Sequence, residues 1–338
     1  MMNSSKKITV TGTGSFLPRH VLTNHDLTRM MDTNDEWIRR TYGIAERRVV
    51  DDATNVSDLG CEAARRAMDA AGADPSDIDV LIHASLQADY TAPATACVLQ
   101  SRLGIPSCVA FDMNVGGCSN TAFALTTAIN FLANGDCRRA LVVCTEIYSK
   151  FINWNYRDSS CFLGDGSGAV VLEVCEQAHE IQTDLHTLGG DYERVVWAGR
   201  GTVTAPEELR TPVIDGRAVW TFGTSAVPET VATVASKAQL DPSDVDFLIF
   251  HQANARMIER NMNTLGIPMS KTFINNSRYG NTGGASSLIA LDEAIRASRI
   301  HPGDRVLLCS YGAGLGYGSV LFDYDAAHAK MDVLEGAL

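Results

Sequence analysis

FDMNVGGCSNTAFALTTAINF, residues 111–131, reads as a short strand, a tight glycine turn and a long apolar helix. Gly116 and Gly117 let the backbone turn sharply, and Cys118 follows at the mouth of the helix. From Ala122 onward the segment is apolar almost all round, the pattern of a buried helix. A thiol at a helix N-terminus faces the positive end of the macrodipole, which favours thiolate and is a common mounting for a cysteine nucleophile. The alternative is a small buried cysteine, one of nine in the chain.

Outward from this unit, apolar strands alternate with helices. Lys7 to Val10 opens a first strand, with Gly12 and Gly14 as its turn. Helix starts are expected at Asn24, capped by Thr23 or Asn24, and near Asp35, capped by Thr33 or Asn34. Asn55 to Ala71 is amphipathic, and Gly72 ends it. Val80 to Ala84 and Ala140 to Thr145 are continuous apolar strands, and Thr95 to Leu103 is a helix closed by Gly104-Ile105-Pro106. Such strands between helices indicate a sheet covered on both faces. Phe151 to Phe162 reads as irregular. Gly164-Asp165-Gly166-Ser167-Gly168 reads as a turn of close backbone approach before a strand at Ala169 to Val174; it lacks the P-loop ending and the dinucleotide spacing. Gln177 to Val219 is the least periodic stretch and is expected to carry loops over a substrate path.

The second half repeats the first. Asp74-Pro75-Ser76-Asp77 leads into a strand as Asp241-Pro242-Ser243-Asp244 does; Gly104-Ile105-Pro106 matches Gly266-Ile267-Pro268; Leu141-Val142-Val143-Cys144 matches Val306-Leu307-Leu308-Cys309; and Gly168-Ala169-Val170-Val171-Leu172 matches Gly318-Ser319-Val320-Leu321-Phe322. Matches in one order imply two similar α/β halves related by a pseudo-dyad, residues 1–176 and 177–338. Between these markers Cys118 corresponds to Asn281, each after a glycine at a helix mouth. His251 ends the strand Phe247 to Phe250, at the carboxyl edge where open α/β sheets bind ligands. Each of the three residues has a structural alternative, and it is their convergence on one cleft that favours chemistry. A cysteine thiolate attacks acyl carbonyls, and the oxyanion needs donors such as the Cys118 amide or an amide of the loop at residues 311–316. His251 and Asn281 fit either two donors to one thioester carbonyl or the base and orienter of a hydrolase.

The 338 residues are 45 % hydrophobic and 20 % charged, with net charge −12. The acidity disfavours nucleic acid as a partner. No apolar run reaches the ~18 residues of a membrane span, and no signal peptide is read at the N-terminus. Nine scattered cysteines without a CxxC pair suggest neither zinc nor a disulfide framework, and reduced thiols place the chain in the cytoplasm.

These motifs resemble the thiolase-fold condensing enzymes, closest to β-ketoacyl-acyl-carrier-protein synthase III. The resemblance runs from about Lys7 to Tyr324 and rests on DTNDEWI at 32–38, the Cys118 helix start, GDGSGAVVL at 164–172, HQANARMI at 251–258, YGNTGGAS at 279–286 and GAGLGYGS at 312–319. It implies an α/β thiolase-like five-layered α-β-α-β-α fold and a homodimer. It also implies an acyltransferase whose Cys118 takes an acyl group from coenzyme A or a carrier protein. His251 and Asn281 then hold malonyl-carrier protein for decarboxylative condensation. No permanent cofactor or metal is implied; coenzyme A or phosphopantetheine thioesters are substrates. The backbone amides of Cys118 and Ala313 match the oxyanion pair. Trp37 and Arg157 match coenzyme A contacts, Asn254 a residue near the pantetheine arm, and Arg256 a basic contact to the carrier protein that Arg260 extends. Where the family places an arginine four residues after the tryptophan, this chain has Thr41, with Arg40 beside it. That departure points to a carrier-bound donor. Ala92, where some members carry a bulky residue, and Thr121, within the altered run after the cysteine, point to a changed acyl pocket and a specialised pathway. Two further readings stand beside condensation. One is acyl transfer to an oxygen or nitrogen acceptor; the other is a non-catalytic partner subunit, disfavoured because all three residues are present.

Overall fold

A computed structural model describes residues 6–197, 199, 201–203 and 212–325. The chain runs β1 (Ile8–Phe16), β2 (His20–Thr23), α1 (Asn24–Leu27), α2 (Asp35–Tyr42), β3 (Glu46–Val49), α3 (Val56–Ala71), β4 (Val80–Ala84), α4 (Thr95–Leu103), β5 (Val109–Met113), α5 (Asn120–Asn134), β6 (Arg139–Glu146), α6 (Arg157–Ser160) and β7 (Gly166–Val174). It continues through β8 (Gln182–Thr187), β9 (Val195–Val196), β10 (Val213–Ile214), α7 (Gly216–Lys237), β11 (Phe247–Phe250), α8 (Ala255–Leu265), α9 (Asn276–Tyr279), α10 (Ala285–Arg296), β12 (Arg305–Gly312) and β13 (Gly316–Tyr324).

The main sheet orders its strands β11-β12-β13-β1-β7-β6-β4-β5, with β8 on β13. The pairings repeat. In one part β5 lies parallel to β4, β4 parallel to β6, β6 antiparallel to β7 and β7 antiparallel to β1. In the other a single parallel bridge joins Thr272 to Leu248 of β11, β11 is parallel to β12, β12 antiparallel to β13 and β13 antiparallel to β8. A short parallel contact between β1 and β13 links them. The Asp-Pro-Ser-Asp repeats become twin single-turn helices, Pro75–Asp77 and Pro242–Asp244, each with an aspartate side chain accepting from the backbone N–H three residues earlier.

Three apolar clusters stack these elements into five layers. Helices α3 and α4 cover one face of the first set of strands, around Leu81, Leu99 and Val143. Helices α7 and α8 cover the second set around Val231, Leu248 and Met262. Between them α5 and α10 pack against strands of both sets, and Ile82, Leu125, Leu288 and Ile249 share one core. A helix packed between two sets of strands must be mostly apolar, and in α5 the polar Thr127, Asn130 and Asn134 lie on its less buried side.

Several sequence expectations change here. Strand β1 does not stop at Val10; it runs on to Phe16. Gly12 and Gly14 are strand residues because α3 presses on them, and a Cβ on either would lie 2.5 Å from an α3 backbone nitrogen. Strand β7 starts at Gly166 rather than Ala169, since α10 crosses it closely: a Cβ on Gly168 would lie 2.5 Å from Cβ of Leu288. The expected loops after Gln177 include a regular strand, β8, whose six residues pair with β13. Residues 198, 200 and 204–211 of that stretch lie outside the described residues. Phe151 to Phe162 is irregular except for the short α6. Among the described residues no helix is long and apolar enough to cross a membrane.

Candidate active site

Cys118 sits two residues ahead of α5, in a turn where Gly116 and Gly117 have φ of 114° and 70°. The turn is stapled: Asn120 Oδ1 accepts from the Val115 N–H at 2.7 Å, and the Asn120 N–H donates to the Gly117 carbonyl at 2.9 Å. The loop after β12 presses on it, and a Cβ on Gly312 would lie 2.9 Å from Cβ of Cys118 and 2.7 Å from the Ser119 nitrogen. The backbone of Ala313 is therefore packed on the cysteine turn, against Gly116.

The turn before α10 faces the same point. Asn281 Oδ1 accepts from the Gly283 N–H at 2.8 Å, which fixes the amide so that Nδ2 lies 3.8 Å from Cys118 Sγ. His251 follows β11 and is buried; its Nδ1 is 2.7 Å from Ser286 Oγ on α10, and it bonds the backbone of Gly283. The ring stands edge-on to Tyr311 at 5.3 Å. Across the halves, Thr121 Oγ1 donates to the Gly284 carbonyl at 2.5 Å.

Electrostatics correct one expectation. Burial, then the neighbouring Glu146, push the Cys118 thiol from 9.0 up to about 12, against hydrogen bonds from Asn281 and Tyr148. A shift of that size is worth ~4 kcal/mol, and a helix terminus supplies at most ~2. Burial thus favours the thiol form, and the Asn281 and Tyr148 side chains oppose it. Burial also lowers His251 from 6.5 to about 3, so its imidazole is neutral near pH 7. A neutral imidazole and an amide suit hydrogen bonding to a carbonyl better than proton abstraction.

Of the remaining residues singled out in the sequence, Trp37, Arg157 and Asn254 lie around α2. Arg157 lies over the Trp37 ring, 4.5 Å from its centroid, and Tyr42 meets the ring edge-on at 5.8 Å. Arg40 is exposed on the same helix, α2. Asn254 caps α8 by accepting from Arg256 N–H at 3.0 Å and donates to the Thr41 carbonyl at 3.0 Å, tying α8 to α2. Arg256 and Arg260 are exposed on α8, Ala92 is exposed ahead of α4, and Thr121 is fully buried. Glu146, Tyr148, Ser286 and Tyr311 belong to the centre and went unremarked in the sequence. Glu146 had a signal, an acid closing the apolar run 140–145; Tyr148 had none. Among the described residues no group of three or more histidine, cysteine or acidic side chains is arranged to hold a metal.

Two family models match this chain, 3-oxoacyl-[acyl-carrier-protein] synthase III over residues 111–189 and its C-terminal part over residues 235–324. The chain is 39 % identical to a β-ketoacyl-[acyl-carrier-protein] synthase III of Xanthomonas campestris pv. campestris over 319 residues, 93 % of this chain and 98 % of the relative. It belongs to the synthase III family. The solved synthase III of Aquifex aeolicus VF5 superposes with a TM-score of 0.88 at 34 % identity, covering 94 % of this chain and all of that one. The priming β-ketosynthase of the R1128 polyketide pathway gives 0.88 at 27 % identity, covering 96 % and 99 %. The five layers are thus those of the thiolase fold, and the chain is a synthase III-like condensing enzyme of the acyltransferase class. In this synthase III chain the two helix mouths meet where Cys118 and Asn281 approach each other.

Proposed function

We propose that Cys118, His251 and Asn281 carry a two-stage condensation. The Cys118 sulfur attacks an acyl thioester; the new S–C bond forms as the donor's C–S bond breaks, and the thiol proton ends on the departing thiol. A malonyl thioester then takes its place with its carbonyl between His251 and the Asn281 amide. Loss of CO2 leaves an enolate whose carbon attacks the acyl-Cys118 carbonyl, and the Cys118 sulfur departs. The amides of Cys118 and Ala313 receive the oxyanion in each acyl transfer. The observation that carries this reading is the fixed Asn281 amide 3.8 Å from Cys118 Sγ, opposite a neutral His251.

The stacked Trp37 and Arg157 offer planar cation–π surfaces for an adenine, with Arg40 and Asn254 nearby for the rest of a coenzyme A or pantetheine arm. Arg256 and Arg260 offer exposed charge to an acidic carrier protein. Thr41 in place of a second stacking arginine favours a carrier-bound acyl donor. Strand β5 pairs with β4 alone and leaves Val109 exposed, an edge that suits a second copy in a homodimer, with Ala92 and Thr121 shaping the acyl site. Residues 1–176 bring the nucleophile and 177–338 its partners. Nine free thiols suit the reducing cytoplasm.

The test is acylation of purified protein by acyl-CoAs of two to about twelve carbons and by the same acyl groups on carrier protein, read by intact mass. An adduct on wild type but not on Cys118→Ala is expected, stronger from carrier protein. An adduct that persists in Cys118→Ala would overturn the assignment.

A further inference from the structure

A thiol inside a dry site needs donors as it becomes an anion, and Asn281 at 3.8 Å is a long one. A second group faces the same turn. Tyr148 lies two residues beyond the end of β6 and is 3 % exposed. Its carbonyl is held by the Phe151 and Ile152 N–H groups at 2.9 and 3.1 Å, and its ring stacks at a tilt on Trp197, 5.8 Å away. The hydroxyl is thereby fixed between the two helix mouths. A Cβ on Gly117 would lie 3.4 Å from it, and one on Gly283 would overlap it. Beside the Cys118 turn, it acts on the sulfur as a donor and holds the thiol below where burial alone would put it.

We propose that Tyr148 is a further catalytic residue, whose phenolic O–H donates to the Cys118 sulfur and stabilises the thiolate that attacks the acyl donor. Within the synthase III reading it adds a fourth side chain to the three already assigned. Desolvation first, then Glu146, hold the phenol well above its ordinary range, so it keeps its proton and serves as donor, not base. The thiol proton leaves with the departing thiol of the acyl donor. Once Cys118 is acylated the sulfur carries no charge, and the bond weakens; when the enolate attacks and the sulfur is expelled, the bond is restored. The contact therefore favours the charged sulfur at both transition states over the neutral acyl-enzyme. Gly283 is required at its place partly to leave room for this hydroxyl.

The titratable and polar groups facing the sulfur are Asn281 ahead of α10, Glu146 at the end of β6, Tyr311 at the end of β12 and Tyr148 itself. The Tyr148→Phe variant keeps all but the last. Alkylation of the Cys118 peptide by iodoacetamide, followed by mass spectrometry from pH 6 to 11, reads the thiol without any acyl substrate. Loss of the hydroxyl is expected to move the profile up by about one pH unit and slow alkylation about 10-fold at neutral pH. Acyl-enzyme formation should slow in step. Placing 3-fluorotyrosine at position 148, a stronger donor of almost the same shape, is expected to move the profile down, which a purely structural role would not do. This second protein also decides the matter if Tyr148→Phe melts early. Profiles that superpose on wild type in both proteins would overturn the proposal. Because alkylation needs no acyl donor, wild type that alkylates with a Tyr148-dependent profile yet takes no acyl group would overturn the condensation reading alone.

Discussion

The mouth of α5, residues 114–121, and the mouth of α10, residues 279–286, are built from the same parts. Gly116 and Gly117 in one, and Gly280 and Gly283 in the other, hold φ between 56° and 114°. Each mouth staples itself with an asparagine side chain that accepts a backbone N–H, Asn120 from Val115 and Asn281 from Gly283. The difference lies in where that asparagine stands. Asn120 is buried behind the turn and leaves the outward position to Cys118. Asn281 occupies the outward position itself, so one side chain both staples its turn and aims an amide across at the sulfur. The scaffold thus supplies position twice over but charge not at all: burial raises the thiol on one side and neutralises the imidazole on the other.

The largest test removes the asymmetry. Cys118→Ala leaves two donor mouths facing each other, and condensation should fall on the order of 10³-fold or more, measured as β-ketoacyl product per enzyme. The second concerns charge. His251 is held down at about 3 in the folded chain, against the ordinary histidine value of 6.5 that it regains on unfolding. The unfolded chain therefore binds the extra proton first as pH falls, and stability is lost below about 6.5 at ~1.4 kcal/mol per pH unit. Urea titrations of wild type and His251→Asn should diverge in slope over that range, by ~3 kcal/mol at about pH 4.5; parallel curves would show that the imidazole is not buried neutral.

The third compares the two turns directly. Gly283→Ala sets a Cβ onto the Tyr148 hydroxyl and 2.6 Å from Glu146 Cγ, whereas Gly117→Ala meets the end of the Leu86 side chain at 2.7 Å. Both strain a positive φ, and denaturant unfolding should cost ~2–3 kcal/mol for the first and ~1 kcal/mol for the second. The smallest test lies outside the site. Asp77 and Asp244 close equivalent turns, but Asp77 also takes the Arg139 guanidinium at 2.7 Å. Asp77→Ala should cost about 1 kcal/mol and Asp244→Ala about 0.5 kcal/mol, read as melting shifts.

How much of this was legible in the chain depended on whether an element reports its surroundings in its own residues. Strand β4 is buried throughout and helix α5 over most of its surface, and their apolar runs say so. Strand β8 does not. QTDLHT is polar because the strand is only half-buried, on the flank of β13, so no apolar run marks it. Helix α7 has Gly223 where Met257 and Tyr311 press in, and Pro228 within it, and both blur its period. The pairing of Cys118 with Asn281 was readable because the duplication keeps both after a glycine at a helix mouth. Tyr148 was not, since its approach to the Cys118 turn comes from the way the first half folds and leaves no spacing in the sequence. The electrostatics of Cys118 were only half readable: a sequence shows the helix end but not the desolvation that opposes it.

The layer shared by α5 and α10 also bears on how the chain is made. The first half is translated with only α5 on its inner sheet face, and the shared core around Ile82, Val142 and Leu125 closes when Leu288 and Ile249 emerge. A ribosome that stops early releases Cys118 without His251 and Asn281 beside it, so the site forms only once the whole polypeptide has arrived and closed. Two separately expressed fragments that regain condensation on mixing would turn that dependence into a reporter of their association.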